Sequence, residues 1–307
     1  MRQLTNHILM IRPAHFGYNA ETAKNNAFQV KDESADFTSL EQIARDEFDN
    51  MAGLLRSKGI DVIVVEDTDT PHKPDAVFPN NWISFHENGA VITYPMYAEN
   101  RRIERRQDII EMLSGRFEIK NRYSFEFYEE ENLFLEGTGS MIFDRPNKLV
   151  YACLSERTDA TLVDKFNVLT GTRSILFKAV DRNGLDIYHT NVMMAIGENF
   201  VVICLESVHD EDSRKLLRDT FKATGKELIE ITYNQMESFA GNMLEVRGKG
   251  NTRYLVMSQT AFESLSPEQV ERLNQLTNIL PISIPNIEKF GGGSVRCMMA
   301  EVFLPEK

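Results

Sequence analysis

A repeated unit of helix, glycine and strand constrains this chain more than any other feature. An apolar face at helical spacing precedes Gly59, Gly115, Gly171 and Gly225, and a short apolar run follows each of them. Successive glycines are 56, 56 and 54 residues apart. Because a fixed period of this size is typical of repeat architectures, the sequence predicts one supersecondary unit repeated along the chain.

Five such units are predicted. The helices are predicted up to Gly59, over 101–114, 158–170 and 210–224, and from Pro267 behind a Ser266 cap. The strands that follow are predicted at 61–65, from 117, and at 174–177, 228–231 and 279–284. A hairpin is predicted ahead of four of the helices, at 81–94, 140–152, 191–203 and 242–257.

The two ends of the chain each hold half of a hairpin. Strands are predicted at 7–11 and at 297–303, and neither has a hairpin partner nearby in sequence. Pairing of the two ends would remove two exposed sheet edges. We therefore predict an α/β fold with a single domain over residues 1–307, a five-bladed, pseudo-symmetric propeller closed by its N- and C-terminal strands.

A closed ring would bring the starts of its inner strands to one axis. These starts carry polar residues in five places: Asp75 to Asn81, Glu136 to Ser140, His189 to Asn191, Gly241-Asn242 and Cys297. Segments scattered through the sequence would then share a single pocket. The sequence therefore predicts a functional site on this axis.

Cys297 is the candidate nucleophile of that pocket. It follows Gly291-Gly292-Gly293, and a glycine run costs backbone entropy unless the backbone must closely approach a neighbour or a ligand. Free cysteine is usually a small buried hydrophobe, so a flexible loop before a core cysteine is the alternative. Cys153 and Cys204 stand inside apolar strands and are interpreted as core residues.

His189 is the histidine of six that the repeat places beside this cysteine, and a thiol needs a base or a cationic partner to react. Glu136 stands between two large apolar residues and two glycines, so it is expected to orient the imidazole or to bind a cationic substrate. Asp75 is a candidate substrate ligand, although turn chemistry beside Pro74 would also explain it.

Composition narrows the class of function. Hydrophobic residues make up 42% and charged residues 26% of 307 residues, and the net charge is −12, which disfavours binding to nucleic acid or an anionic membrane. No apolar run approaches the ~20 residues of a membrane helix. Three cysteines without a CxxC pattern form neither a disulfide framework nor a zinc site, so we expect a reduced, cytoplasmic protein.

These motifs together resemble the guanidine-modifying, or pentein, superfamily, which includes arginine deiminases, dimethylarginine dimethylaminohydrolases and amidinotransferases. The motifs are Pro-Asp-x-x-Phe-x-Asn-Asn from Pro74, Leu-Glu-Gly-x-Gly from Leu135, His-x-Asn from His189, and Gly-Gly-x-x-x-Cys ending at Cys297. Within the superfamily, the chain is most similar to bacterial amidinotransferase-like proteins linked to citrulline utilisation.

The resemblance implies a five-bladed α/β propeller and a thiol mechanism that needs no metal or organic cofactor. Cys297 would attack the guanidino or ureido carbon, and His189, oriented by Glu136, would protonate the leaving amine and then activate water. Arg101 would bind the substrate carboxylate, although a solvated helix charge is the alternative. The substrate-binding residues it implies are Asp75, Phe78, Asn80, Asn81, Arg101, Asn191 and Asn242.

Departures from the family pattern bear on the substrate. Arginine deiminases have His-x-Asp where this chain has Asn191, and dimethylarginine hydrolases have acids where it has Asn80 and Asn81. Carboxylates stabilise a buried guanidinium, whereas amides suit a neutral group, so a ureido substrate such as citrulline is favoured over arginine. An amidinotransferase and a non-catalytic amino-acid-binding protein remain alternatives, and the oligomeric state stays open.

Overall fold

The computed structural model describes residues 1–24, 26, 28–30 and 37–307, without the side chains of Phe37 and Thr38. Its strands within these ranges are β1 (His7–Arg12), β2 (Asp61–Glu66), β3 (Ile83–Phe85), β4 (Ala90–Thr93), β5 (Asn121–Ser124), β6 (Ile142–Asp144), β7 (Leu149–Cys153), β8 (Arg173–Phe177), β9 (Met194–Ile196), β10 (Phe200–Ile203), β11 (Glu227–Glu230), β12 (Leu244–Arg247), β13 (Arg253–Ser258), β14 (Asn278–Ile282) and β15 (Ala300–Glu301). Its α-helices are α1 (Phe37–Ser57), α2 (Glu99–Arg102), α3 (Gln107–Ser114), α4 (Gly137–Ser140), α5 (Ala160–Thr170), α6 (Thr190–Met193), α7 (Glu211–Ala223), α8 (Tyr233–Glu237), α9 (Gln259–Ser264), α10 (Pro267–Leu276) and α11 (Pro285–Gly291).

The strands form five sheets of three strands, and all five share one topology. The orders are β15-β1-β2, β3-β4-β5, β6-β7-β8, β9-β10-β11 and β12-β13-β14. Each central strand pairs antiparallel with its hairpin partner and parallel with the strand that follows the unit's helix. In the third sheet, for example, Tyr151 is opposite Ile142 on one side and Ile175 on the other. Each predicted unit therefore corresponds to one sheet.

The two chain ends pair with each other, as the sequence predicts. β1 runs antiparallel to β15, with Ile8 opposite Glu301 and Leu9 opposite Ala300. This pairing completes one three-stranded sheet and does not close a continuous one, because every sheet in the described ranges keeps two edge strands of its own. Contacts between sheets instead join β15 to β3, β6 to β9 and β9 to β12.

Local signals explain where the long helices begin and end. The Ser266 side chain accepts a hydrogen bond from the backbone N–H of Gln269, and the Gln269 side chain accepts one from the backbone N–H of Ser266. Pro267 occupies the first turn of α10. Gly171 ends α5 in the left-handed region with φ of +67°, which a residue with a Cβ atom adopts at a cost. None of the helices in the described part of the chain is long and apolar enough to span a membrane.

The second unit differs from its prediction. The helix expected at 101–114 is divided into α2 and α3, and the strand expected from Phe117 begins four residues later, at Asn121. Phe117 is fully buried, and its β pairing is limited to an isolated bridge with Glu306. All four residues of β5 are exposed, so this edge strand is held by backbone pairing with β4 and carries no apolar run to mark it.

A helical turn precedes three of the hairpins where the sequence predicts the start of a strand. A 3-10 turn covers Pro79–Asn81, while α4 and α6 stand ahead of β6 and β9. These segments are buried, and each turn pairs backbone groups locally, as when Met141 N–H donates to Gly137 O. The prediction that Asn191 lies on a strand is therefore wrong, because it lies in α6.

Candidate active site

A narrow recess lies where polar segments of several units approach Cys297. Six of the predicted site residues line it: Cys297, His189, Asp75, Phe78, Asn81 and Arg101. Seven further residues complete the lining: Thr22, Asn26, Arg157, Tyr188, Gly291, Gly292 and Gly293. Glu136, Asn191 and Asn242 lie behind this wall, each hydrogen-bonded to His189 or Cys297. The fold thus brings together side chains from positions 22 to 297.

Two amide groups hold the sulfur of Cys297. Asn191 Nδ2 and Asn242 Nδ2 each lie 3.3 Å from Sγ. The Asn242 amide has a fixed orientation, because its Oδ1 accepts a hydrogen bond of 3.0 Å from the backbone N–H of Arg296. Its N–H group must therefore face the sulfur, and N–H donors stabilise a thiolate more than a thiol.

Two of the three glycines before Cys297, Gly291 and Gly293, make room for an aromatic ring. Gly291 ends α11, and Gly292 follows in the left-handed region with φ of +63°. A Cβ atom on Gly291 would lie 2.8 Å from Cζ of Phe78, and one on Gly293 would lie 3.0 Å from the same ring. The glycine run therefore lets the backbone approach Phe78 closely beside the nucleophile, and it is not a flexible loop before a core cysteine.

His189 and Glu136 form a buried pair beside the recess. Nε2 of His189 lies 2.7 Å from Oε2 of Glu136, and the same oxygen lies 3.5 Å from Nη1 of Arg157. Burial would raise the pKa of Glu136, but the charge of Arg157, the hydrogen bond from His189 and the charge of Arg101 outweigh it and lower the pKa to about 2. Because the carboxylate is ionised and only accepts, Nε2 carries the proton that it shares with Glu136.

The other nitrogen of His189 lies beside Gly139 and Asn81, at the edge of the recess that His189 and Asn81 line. A Cβ atom on Gly139 would lie 2.8 Å from Nδ1 of His189 and 2.5 Å from Nδ2 of Asn81, so all three groups meet there. Burial lowers the pKa of His189 below its ordinary value, although Glu136 opposes that effect. At neutral pH the imidazole is therefore uncharged, and Nδ1 is available as a proton acceptor.

Asp75 offers a free oxygen to the recess. Its Oδ2 accepts hydrogen bonds from Asn19 at 2.8 Å and Thr22 at 3.2 Å, and Arg101 Nε lies 3.8 Å away. Its Oδ1 is buried and has no hydrogen-bond partner among the described residues. Burial raises the pKa of Asp75, against the opposing effect of Arg101. A ligand that donates to this oxygen would satisfy it.

Arg101 is buried, so its alternative interpretation as a solvated helix charge is wrong. It is 3% exposed, and its guanidinium makes two hydrogen bonds of 2.8 Å to Glu104. A third bond, also 2.8 Å, joins Nη1 to Oδ1 of Asn81, and Nη2 reaches Phe78 O at 3.3 Å. Arg101 therefore fixes the Asn81 amide, whose buried Nδ2 is left without a partner in the described structure.

Among the predicted substrate ligands, Asn80 is the one that neither lines the recess nor bonds to Cys297 or His189 in the described structure. It is fully buried, and neither atom of its amide finds a partner among the described residues. In a 3-10 turn successive side chains point about 120° apart. Asn81 therefore faces the recess while its neighbour Asn80 points elsewhere.

Arg157 is the main site residue that sequence reasoning missed. It is 2% exposed, stacks on the Tyr188 ring at 4.8 Å and donates to Thr22 O at 3.0 Å. The repeat contains a signal for it, because Arg157 precedes Gly171 by 14 residues, as Arg101 precedes Gly115. Tyr188, Thr22 and Asn26 were also missed, and nothing in their local sequence marks them.

No metal centre is built into the described structure, since none of its histidine, cysteine, aspartate and glutamate side chains forms a group of three suited to a metal ion. All three cysteines are free and buried. Burial raises the pKa of the Cys153 thiol to about 12 and that of Cys204 to about 11, in keeping with their predicted place in the core.

Comparison with known proteins agrees with this architecture. No curated protein matches the chain. The N-terminal domain of ArgZ, an arginine dihydrolase from the ornithine-ammonia cycle in cyanobacteria, was solved as a cysteine-to-serine mutant bound to substrate. It has a TM-score of 0.75 at 16% identity, over 97% of this chain and 98% of that one. The chain spans 41% of full-length ArgZ.

Two other solved structures share the fold. Unliganded AgrE has a TM-score of 0.74 at 18% identity, over 98% of this chain and 40% of that one. A dimethylarginine dimethylaminohydrolase adduct with 4-chloro-2-hydroxymethylpyridine has a TM-score of 0.66 at 17% identity, over 97% and 100% of the two chains.

A family model gives the more specific match. The model described as "N,N dimethylarginine dimethylhydrolase, eukaryotic" matches residues 12–304, which is nearly the whole chain and includes every residue of the recess. The resemblance to the guanidine-modifying enzymes predicted from the motifs is thereby confirmed. The chain belongs to the N,N dimethylarginine dimethylhydrolase family, within the pentein superfamily.

Proposed function

We propose that the chain is a cysteine-dependent hydrolase that cleaves a C–N bond in the ureido or guanidino group of an amino acid. One observation carries the proposal: a thiol held by two amide donors shares a buried recess with an oriented, neutral imidazole. This is the arrangement that thiol-based covalent catalysis requires. The names of the relatives support it, since ArgZ is called an arginine dihydrolase and one of its structures is covalently bonded to a reaction intermediate.

Two proton transfers through His189 complete the proposed reaction. As Cys297 Sγ bonds to the substrate carbon, the thiol proton passes to Nδ1, and the imidazolium then gives it to the departing nitrogen. The amine leaves, and a covalent thiocarbamate or thiouronium remains on the sulfur. Water then loses a proton to Nδ1 and adds to the carbon, the C–S bond breaks, and the thiol takes its proton back. Glu136 keeps the imidazole in the required tautomer throughout.

Buried charges favour an amino-acid substrate in this recess. Arg157 and the one Nη1–H group of Arg101 that its hydrogen bonds to the described residues leave unused are placed to donate to the substrate carboxylate, as the resemblance implies for Arg101. Asp75 supplies the free acceptor Oδ1 for a substrate N–H group. We place Phe78 against the aliphatic part of the substrate, because its ring lies beside the glycines that precede Cys297.

The Asn81 amide supports a ureido substrate of the citrulline type. Arg101 occupies the amide oxygen, so the group that Asn81 can offer a substrate is the N–H donor. A ureido group has a carbonyl oxygen to accept this bond, whereas a guanidinium presents only donors. From citrulline, hydrolysis of the thiocarbamate would release a carbamate, whose spontaneous decomposition breaks the second C–N bond, so the products would be ornithine, ammonia and carbon dioxide.

We further propose that residues 1–307 form one catalytic domain in which the five sheets surround a common axis as a five-bladed propeller. Support comes from their shared topology, the pairing of β1 with β15 and the meeting of distant polar segments in one recess. Three free, buried cysteines support a reducing compartment such as the cytoplasm.

A substrate panel tests the function. Wild type and Cys297→Ser are incubated separately with citrulline, arginine, methylated arginines and agmatine, and ammonia and amino-acid products are followed. We expect release of ammonia from citrulline by the wild type and none by the variant. Tight binding of arginine but not citrulline by Cys297→Ala would contradict the ureido assignment. Product that forms only when ornithine or glycine is added would favour the amidinotransferase alternative.

A further inference from the structure

Arg145 is a buried cation that the proposed reaction does not use. It is 8% exposed, and its guanidinium makes no hydrogen bond to any of the described residues. Its planar head stacks on the Phe303 ring at 3.8 Å and on the Phe143 ring at 4.8 Å. Because arginine keeps its charge in proteins and carries five N–H donors, such a side chain has donors to spare for a ligand.

The nearest carboxylate does not neutralise Arg145. Glu301 Oε2 lies 3.8 Å from Nη2 of Arg145, beyond hydrogen-bond distance, and the same oxygen is 3.0 Å from Nη2 of Arg296. Two guanidinium groups therefore share one carboxylate. This part of the molecule keeps an excess positive charge, which an anion would balance.

Arg145 lines a lateral pocket that shares no residue with the active recess. The pocket has a volume of about 350 Å³, within the range of small-molecule sites. Phe143 and Phe166 stack in its wall with ring centroids 5.5 Å apart, and the His86 ring lies 5.9 Å from Phe166. Phe166 is 1% exposed and only supports Phe143 from behind, so the rings that reach the pocket beside the guanidinium are those of Phe143 and His86.

The remaining charges around the pocket also favour an anion. Lys148 is exposed at its edge, and its amine has no carboxylate partner among the described residues. The one acid in the lining, Glu87, accepts hydrogen bonds from the side chain and backbone of Arg2. His86 is uncharged, because burial lowers its pKa to about 3, and its Nε2 is bonded to Ser84.

We propose that this pocket is a second ligand site, which binds a small aromatic anion. The ring of the ligand lies against Phe143 and His86, and its carboxylate or phosphate group accepts hydrogen bonds from Arg145 and forms an ion pair with Lys148. An arginine fork accommodates either group by paired N–H···O bonds. The site stands apart from the hydrolase chemistry and does not depend on the proposed function.

Calorimetric titration with matched probes tests the proposal on the full chain. Benzoate combines a ring with a carboxylate, and adenosine monophosphate combines a ring system with a phosphate. Benzamide has the same ring as benzoate but no charge, and inorganic phosphate has the charge but no ring. We expect benzoate or adenosine monophosphate to bind at least about tenfold more tightly than benzamide and inorganic phosphate. Which of the two binds better identifies the anionic group.

Variants at the pocket locate the binding. Arg145→Gln should weaken the better probe by about tenfold or more, and Lys148→Ala by a smaller factor, while Cys297→Ser should leave it unchanged. If circular dichroism shows that Arg145→Gln does not fold, the test is whether Lys148→Ala, at the exposed edge of the pocket, weakens binding of the better probe. Equal affinity for benzoate and benzamide, or no effect of either pocket variant, would overturn the proposal.

Discussion

Nε2 of His189 lies 2.7 Å from Oε2 of Glu136, and neither side chain is more than 3% exposed. This contact leaves Nδ1 beside Gly139 and Asn81, at the edge of the recess. A single hydrogen bond thus selects both the tautomer and the direction of the catalytic base in the proposed mechanism. The predictions below follow from this contact and from the amides that surround Cys297.

Replacement of Glu136 by glutamine should shift the pH dependence as well as the rate. Burial lowers the pKa of His189 and Glu136 raises it, so removal of the carboxylate charge lowers the pKa further. We expect kcat/KM to fall by about 10² to 10⁴-fold and its acid limb, already below pH 6.5 in the wild type, to move to lower pH. An acid limb that moves upward in Glu136→Gln would contradict this assignment.

Replacement of Asn242 by aspartate should slow the reaction of Cys297 with iodoacetamide. The aspartate keeps the acceptor for Arg296 N–H but turns an oxygen toward the sulfur in place of the donor. We expect the alkylation rate near neutral pH to fall about tenfold or more, because the thiolate loses a hydrogen bond and gains a repulsion.

The matched control for that variant is Asn183→Asp, an exposed turn position whose side chain does not line the recess. It should alkylate at the wild-type rate, and Cys297→Ser should show no alkylation, since Cys153 and Cys204 are fully buried. An unchanged rate in Asn242→Asp would mean that this amide does not support the thiolate.

A methyl group at Gly139 should lower the activity by about 10²-fold while the fold persists. The Cβ atom of Gly139→Ala would lie 2.5 Å from Nδ2 of Asn81 and 2.8 Å from Nδ1 of His189, so both side chains must move. Displacement of the base by about an ångström costs on the order of 10²-fold in rate. Gly53→Ala is the control, because nothing lies within 4 Å of its Cβ and it is within α1.

Circular dichroism and thermal unfolding distinguish loss of activity in a folded protein from loss of the fold itself. Gly53→Ala should unfold at an equal or higher temperature than the wild type and keep full activity, since alanine is favoured over glycine in a helix by about 1 kcal/mol. Full activity in Gly139→Ala would show that the recess around Nδ1 is wider than the structure has it.

Replacement of Asn81 by aspartate should move the substrate preference from ureido toward guanidino compounds. The aspartate still accepts from Arg101, but it presents an acceptor to the substrate where the amide presents a donor. We expect the ratio of kcat/KM for citrulline over arginine to fall by about tenfold or more. Asn81→Ala, which loses both groups, should lower the rate with both substrates without this change in ratio; a similar ratio in all three proteins would contradict the proposed role.

Local and periodic signals account for what the sequence predicted correctly. Glycine stops, the Ser266 cap and the Asn88-Gly89 turn act within a few residues, so unit boundaries follow from short windows of sequence. The period then placed His189 and Cys297 in register, although they are more than 100 residues apart. The pairing of β1 with β15 followed from counting the strands without partners.

Long-range contacts account for what the sequence did not reveal. The family resemblance implies Asn191 and Asn242 as substrate ligands, whereas the structure shows their amides bonded to the sulfur of Cys297, which lies 106 and 55 residues away along the chain, respectively. Thr22 reaches Asp75 and Arg157 from the N-terminal part of the chain through contacts that no local pattern encodes. The bounds of the edge strand β5 could not be predicted, because its four exposed residues are held by backbone pairing alone.

Trapping the covalent intermediate tests the central claim most directly. The protein is mixed with citrulline, quenched in acid after milliseconds to seconds, digested, and analysed by mass spectrometry for a substrate-derived mass on the peptide that contains Cys297. We predict a transient adduct in the wild type that persists longer in Glu136→Gln and is absent in Cys297→Ser. Turnover of citrulline by Cys297→Ser, or an adduct on another residue during turnover, would contradict the account.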